Sequence, residues 1–146
     1  MVLGSSFGGF VTLAYAGLFP RHPGGVIFTN TTGGRSDLPA SVEIFRRLGG
    51  DQVAVVAARD FAELTEESSA EFNRVCHPLY SSKPGFVEES RQRLARSMHT
   101  TEVNLHYFRN EAARFDAWSV LPGVTCPVLI LAGEDDPMGP FQSLRI

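Results

Sequence analysis

Cysteine is scarce in this chain, with Cys76 and Cys126 as its two members. They form no Cys-x-x-Cys pair and the four histidines do not cluster with them, so neither a zinc site nor a disulfide framework is indicated. Cys126, beside an apolar run, reads as a small buried packing residue. Long apolar runs are also missing. No stretch approaches the roughly 20 residues of a membrane-spanning helix, and no basic region leads into an apolar core and cleavage site at the N-terminus. No membrane partner is expected, and the expected location is cytoplasmic. The net charge is -3 with both signs spread along the chain, which leaves no basic stripe for nucleic acid and no acidic tail. The glycines never spell Gly-x-Gly-x-x-Gly, so no dinucleotide is implied and neither cofactor nor metal is expected. Internal repeats and low-complexity segments are absent.

What the chain does have is 146 residues, enough for one domain with a real core, and a concentrated pattern at its start. Val2-Leu3 runs into Gly4-Ser5-Ser6-Phe7-Gly8, a Gly-x-Ser-x-Gly pattern, and a helix-like segment follows at once. A serine hydroxyl is a poor nucleophile at neutral pH. It becomes useful on a tight strand-to-helix turn, where a base can reach it and backbone N–H groups can hold an oxyanion. Gly4 and Gly8 are expected where a Cβ would crowd the neighbouring strand and helix. Ser5 is a poorer candidate, since Leu3 and Phe7 stand where its own elbow would need glycines.

Taken in order, the chain opens on a stump of a strand before the elbow. From Phe7 to about Leu18 the residues are uncharged and rich in Phe, Val, Leu, Ala and Tyr, which predicts a helix apolar nearly all round and buried. Val26-Ile27-Phe28-Thr29 predicts a buried parallel strand, completing a right-handed βαβ unit. The texture then turns polar and amphipathic from Gly33 to about Phe115. Helices are predicted from Asp37-Leu38-Pro39 to Gly49-Gly50, over Gln52 to Arg59, over Glu66 to Cys76, over Phe86 to Met98 and from Thr100 or Thr101 to about Arg114. In the fourth of these, Phe86, Val87, Leu94 and Met98 are expected to form the buried stripe. Val128 to Leu131 predicts another fully buried parallel strand, with Gly133-Glu134-Asp135-Asp136-Pro137 at its carboxyl end, where such sheets collect ligands and catalytic groups.

Gly4-Ser5-Ser6-Phe7-Gly8-Gly9, the helix after it, and Cys126-Pro127-Val128-Leu129-Ile130-Leu131-Ala132-Gly133-Glu134-Asp135-Asp136-Pro137 together resemble the α/β-hydrolase superfamily, and within it the proline iminopeptidase group. The resemblance implies an α/β fold class: a parallel-sheet fragment with flanking helices and an inserted helical cap. Residues 1–32 and 116–146 would be core and residues 33–115 the cap. It also implies a serine hydrolase acting through an acyl-enzyme, with Ser6 as nucleophile, Asp136 as the triad acid with Asp135 second, and the Phe7 N–H as one oxyanion donor. Glu102, in a segment like the one that binds the free α-amine of an N-terminal proline, is the implied substrate-binding residue, although the family's glutamate falls where this chain has Asn104. The expected partner is a small-molecule or short-peptide substrate.

The third triad member has no match. His22, His77, His99 and His106 all precede Asp136, whereas the family's histidine follows the acid. His22 and His77 read as surface positions beside prolines, and His99 and His106 as cap residues. The second oxyanion donor normally comes from a loop upstream of Met1. Both absences are explained by a central piece of a longer hydrolase, about half the family domain. The alternatives are an ester, lactone or amide hydrolase on a small apolar substrate, and a short form without catalysis.

Overall fold

The computed structural model describes residues 1–33, 37–96, 98, 100–114, 116 and 118–137. His99, Phe115 and the side chains of Leu94 and Asn104 lie outside the described residues. The chain divides into two compact units, Met1–Asp37 with Arg114–Ile146, and Leu38–Ala113.

The first unit holds β1 (Val2–Ser5), α1 (Phe7–Leu18), β2 (Val26–Thr29) and β3 (Val128–Leu131). The strands form a parallel sheet in the order β1-β2-β3, with Val2, Val26 and Val128 aligned at one end and Ser5, Thr29 and Leu131 at the other. Side chains alternate across a strand, so Val2, Gly4, Val26, Phe28 and Ile130 share one face. Leu13 and Ala16 of α1 pack there on Val26 and Phe28, ringed by Val2, Val120, Leu121, Val124, Cys126 and Ile130. Burying Phe28 completely contributes roughly 1.5–3 kcal/mol to that unit.

Two expectations of complete burial fail here for one geometric reason. β2 has a strand on each side and buries Val26 and Phe28, whereas among the described residues β3 has a neighbouring strand on one side and leaves Val128, Leu129 and Leu131 nearly half exposed. The opposite sheet face is open, with Leu3 62% exposed. Likewise α1 buries Gly9, Thr12, Leu13 and Ala16, and turns Val11 and Leu18 to the outside. Apolar composition shows that a helix has a face to bury, not that every face is covered. β1 has four residues, shorter than the roughly five or six that are usual, as expected, while Cys126 is half-buried rather than buried.

The second unit is helical: α2 (Leu38–Gly49), α3 (Asp51–Glu63), α4 (Glu66–Val75), α5 (Phe86–Ala95) and α6 (Thr101–His106). Gly50 takes φ 89 between α2 and α3, a conformation that suits glycine and breaks the helix. Thr65 caps α4 by a reciprocal pair with Ser68, and the buried Asp60 carboxylate accepts hydrogen bonds from Ser68 and Ser69. The core is Phe45, Ala57 and Cys76, with Phe72 edge-on to Phe45 at 5.5 Å. Burial pushes the Cys76 thiol up to about 11.

The sequence reading departs from the structure at three points here. α5 ends at Ala95, and Val87 and Met98 are exposed while Phe86 and Ser90, one turn apart, carry the inner stripe. α6 passes after six residues into a π-helical turn (Tyr107–Glu111) and a 3₁₀ turn (Ala112–Arg114), so the span predicted to about Arg114 is helical but its last turns are not α. A 3₁₀ turn at His77–Tyr80, set by Pro78, has no counterpart among the predicted elements.

His77 is half-buried rather than superficial. Its ring stacks on Phe86 at 5.5 Å, its Nε2 is 3.4 Å from Ser90 Oγ, and Tyr80 lies alongside. Burial, and secondarily the nearby Arg93 cation, hold its pKa below the ordinary 6.5. The fold therefore favours the neutral ring. That contribution to stability is complete above the unfolded value of 6.5 and is lost as pH falls from there through the lower folded value. The carboxylates Glu88 and Glu89, lowered from 4.5 chiefly by hydrogen bonds to Arg91 and Lys83, contribute stability that is lost as pH falls below that unfolded value. We predict that the urea midpoint of the helical unit declines between about pH 6.5 and 4.5, and that His77→Phe flattens this decline. An unchanged slope in the variant would contradict the assignment to His77.

Candidate active site

β1 ends at Ser5 and α1 begins at Phe7, leaving Ser6 alone to make the turn. It does so at φ 49, ψ -123, a combination that lies outside the allowed regions for a residue with a Cβ. The Ser6 N–H donates to Thr29 O at 3.0 Å, and its carbonyl accepts from the Gly9 N–H and from Thr31 Oγ1, each at 2.9 Å. Ser6 itself is exposed. Phe7 opens α1, so its amide lies at the positive end of the helix, and no acidic side chain occupies that first turn. Negative charge developing beside Ser6 is favoured there.

The glycines work differently from the expectation. A Cβ on Gly4 would lie 2.8 Å from the Gly8 carbonyl carbon and collide with Thr12 Oγ1, so β1 and α1 meet only because Gly4 has no side chain. A Cβ on Gly8 would meet nothing within 4 Å, so the predicted crowding at Gly8 is not found. What touches Gly4 is the Gly8 backbone. The other crowded glycine of the elbow is Gly9, where a Cβ would lie 2.5 Å from Thr31 Cβ.

Asp136 stands at the same end of the sheet. The alignment of Ser5, Thr29 and Leu131 brings the carboxyl ends of the three strands level. At a strand spacing of about 4.8 Å, the ends of β1 and β3 are about 10 Å apart. The loop after β3 turns back through an Asp136 N–H to Gly133 O bond of 3.1 Å, leaving Asp136 7% exposed and Pro137 fully buried. Asp135 is exposed. A buried carboxylate held in a tight turn suits an orienting group better than an exposed one does.

The other candidates are less placed. His22 is exposed, bonded to the Tyr15 hydroxyl, and lies beyond the far end of α1. A 12-residue helix rises about 18 Å, so His22 is out of reach of Ser6. His77 and His106 belong to the helical unit, as does Glu102, exposed in the first turn of α6. The sequence reading passed over Thr31 and Asn30. Their signal was a polar Asn-Thr-Thr run directly after a strand, at the end of the sheet where the elbow also emerges.

No protein-family profile and no curated protein matches the chain. A solved thermophilic esterase from Thermogutta terrifontis, with malate bound, is similar in structure: 27% identical, with a TM-score of 0.59, over 99% of this chain and 51% of that one. The chain thus spans about half the length of the esterase it matches. Three parallel strands with flanking helices, together with this likeness, give the chain an α/β fold that fits part of an α/β-hydrolase.

The glycine geometry yields a prediction. Gly4→Ala should destabilise the sheet unit by about 1–3 kcal/mol through overpacking, whereas Gly8→Ala, in open space within a helix, should be neutral or stabilising by up to about 1 kcal/mol. Urea midpoints of the two variants check this, and equal losses would contradict it.

Proposed function

We propose that this chain carries the nucleophile and the acid of a serine hydrolase that cleaves carboxylic esters of small apolar acids. The observation that carries the reading is Ser6, exposed at φ 49, ψ -123 between β1 and α1 with its carbonyl doubly bound. A strained serine on a strand-to-helix turn is how this fold presents a nucleophile. In the reaction, Ser6 Oγ attacks the ester carbonyl as its proton passes to a histidine, and the Phe7 N–H donates to the oxyanion. Collapse expels the alcohol, which takes up that proton, and leaves an acyl-Ser6. Water, deprotonated by the same histidine, then releases the acid and restores Ser6. Asp136 orients the imidazole and stabilises its charged form. The order serine, acid, histidine puts that histidine after Asp136, and the reading assigns it to the part of the hydrolase that the esterase likeness does not cover. The helical unit, residues 38–113, falls within the stretch 33–115 that serves as the cap in this reading.

The ester is favoured over an N-terminal prolyl peptide because the similar structure is an esterase. The aminopeptidase reading rests on the sequence resemblance to the proline iminopeptidase group, with Glu102 as its one candidate for binding the amine. The test is hydrolysis of p-nitrophenyl butyrate and of proline p-nitroanilide by the whole gene product. We expect turnover of the ester, a fall in kcat of at least about a thousandfold in Ser6→Ala, and one of about a hundredfold or more in Asp136→Asn. Retention of activity by Ser6→Ala would overturn the proposal. Turnover of the prolyl anilide, lost in Glu102→Gln, would move it to the aminopeptidase.

A further inference from the structure

A backbone conformation as costly as that of Ser6 persists only where its surroundings over-determine it. Among the described residues, three hydrogen bonds hold its backbone. Two run from backbone to backbone, Ser6 N–H to Thr29 O and Gly9 N–H to Ser6 O, and any side chains in this fold could leave them in place. The third depends on one side chain: Thr31 Oγ1 donates to Ser6 O at 2.9 Å.

That carbonyl belongs to the peptide unit whose N–H is the Phe7 amide. The unit is planar and trans, so its C=O and N–H point in opposite directions, and fixing one fixes the other. We propose that Thr31 is a positioning residue for the oxyanion donor: by holding the Ser6 carbonyl it aims the Phe7 N–H at the reacting carbonyl. A donor bound to the carbonyl also polarises the amide and strengthens it as a donor. This rests on the reading of Ser6 as nucleophile.

The surroundings of Thr31 are built for that contact. Thr31 is 2% exposed. It approaches α1 at Gly9, where a Cβ would lie 2.5 Å from Thr31 Cβ and 2.6 Å from its Cγ2, so the threonine fits only against a glycine. Asn30, at φ 50 with its N–H on Leu131 O at 2.9 Å, turns the chain at the end of β2 and brings Thr31 beside the elbow. β1, β2, β3 and α1 thus all contribute to the position of one hydroxyl.

Thr31→Val keeps the shape and removes the hydroxyl, whereas Thr31→Ser keeps the hydroxyl. In the whole gene product acting on p-nitrophenyl butyrate, Thr31→Val should lower kcat roughly tenfold to a hundredfold with KM unchanged, because the oxyanion forms only in the transition state. Binding of a trifluoromethyl ketone, which forms a tetrahedral adduct, should weaken by a similar factor, and Thr31→Ser should restore both within about threefold. A purely structural role would move the unfolding midpoint without this split. Should Thr31→Val not fold, Thr31→Ala is compared with Thr31→Ser, and equal kcat in the two overturns the inference. If neither hydroxyl-free variant folds, the hydroxyl serves folding and the inference is likewise overturned. A Thr31→Val enzyme with unchanged kcat, beside an inactive Ser6→Ala, removes the role of Thr31 alone. An active Ser6→Ala removes the nucleophile reading and this inference with it.

Discussion

The close approach of β1 and α1 at Gly4 is the constraint on which the sheet unit depends. The Gly8 carbonyl and the Thr12 hydroxyl occupy the place where a side chain at residue 4 would be, so strand and helix are joined by one residue rather than by a loop. Only a sharp reversal closes that gap. Ser6 therefore takes a backbone conformation that serine disfavours, and its hydrogen bonds to the β2 end and the first turn of α1 stabilise it there. Packing of Leu13 and Ala16 on Val26 and Phe28 holds the helix against the sheet, so hydrophobic burial sustains the strain at the turn.

Much of this arrangement was legible from residue order. β2, α1 and β3 were predicted at the boundaries found, because uninterrupted apolar segments of those lengths between turn residues admit few other structures. The elbow was legible because its glycines, serine and following helix occur together. Burial was less legible. Val128, Leu129 and Leu131 are as apolar as Val26 and Phe28, yet edge and centre differ by the number of neighbouring strands, which local sequence does not state. Local sequence is equally silent on Val87, which α5 turns outward, and on Met98, which is exposed beyond the end of that helix.

In the site, residue types pointed to Ser6 and to the acidic loop, but contacts between distant segments were not visible. Gly8 drew attention because it completes a pattern, whereas the side-chain contact falls on Gly9, and only the three-dimensional approach of Thr31 reveals that. Asp135 and Asp136 are adjacent and chemically alike. Burial separates them, with the Asp136 N–H bonded back to Gly133 O. Glu102, the candidate for substrate binding, sits on a six-residue helix of the other unit, and sequence alone suggested it.

The central claim, that Ser6 is an activated nucleophile, is tested most directly by treating the whole gene product with a fluorophosphonate and locating the adduct by peptide mass spectrometry. The account predicts a single phosphonyl group on Ser6. An adduct confined to Ser5 or to any other residue, or an unlabelled protein that nonetheless hydrolyses esters, would contradict it.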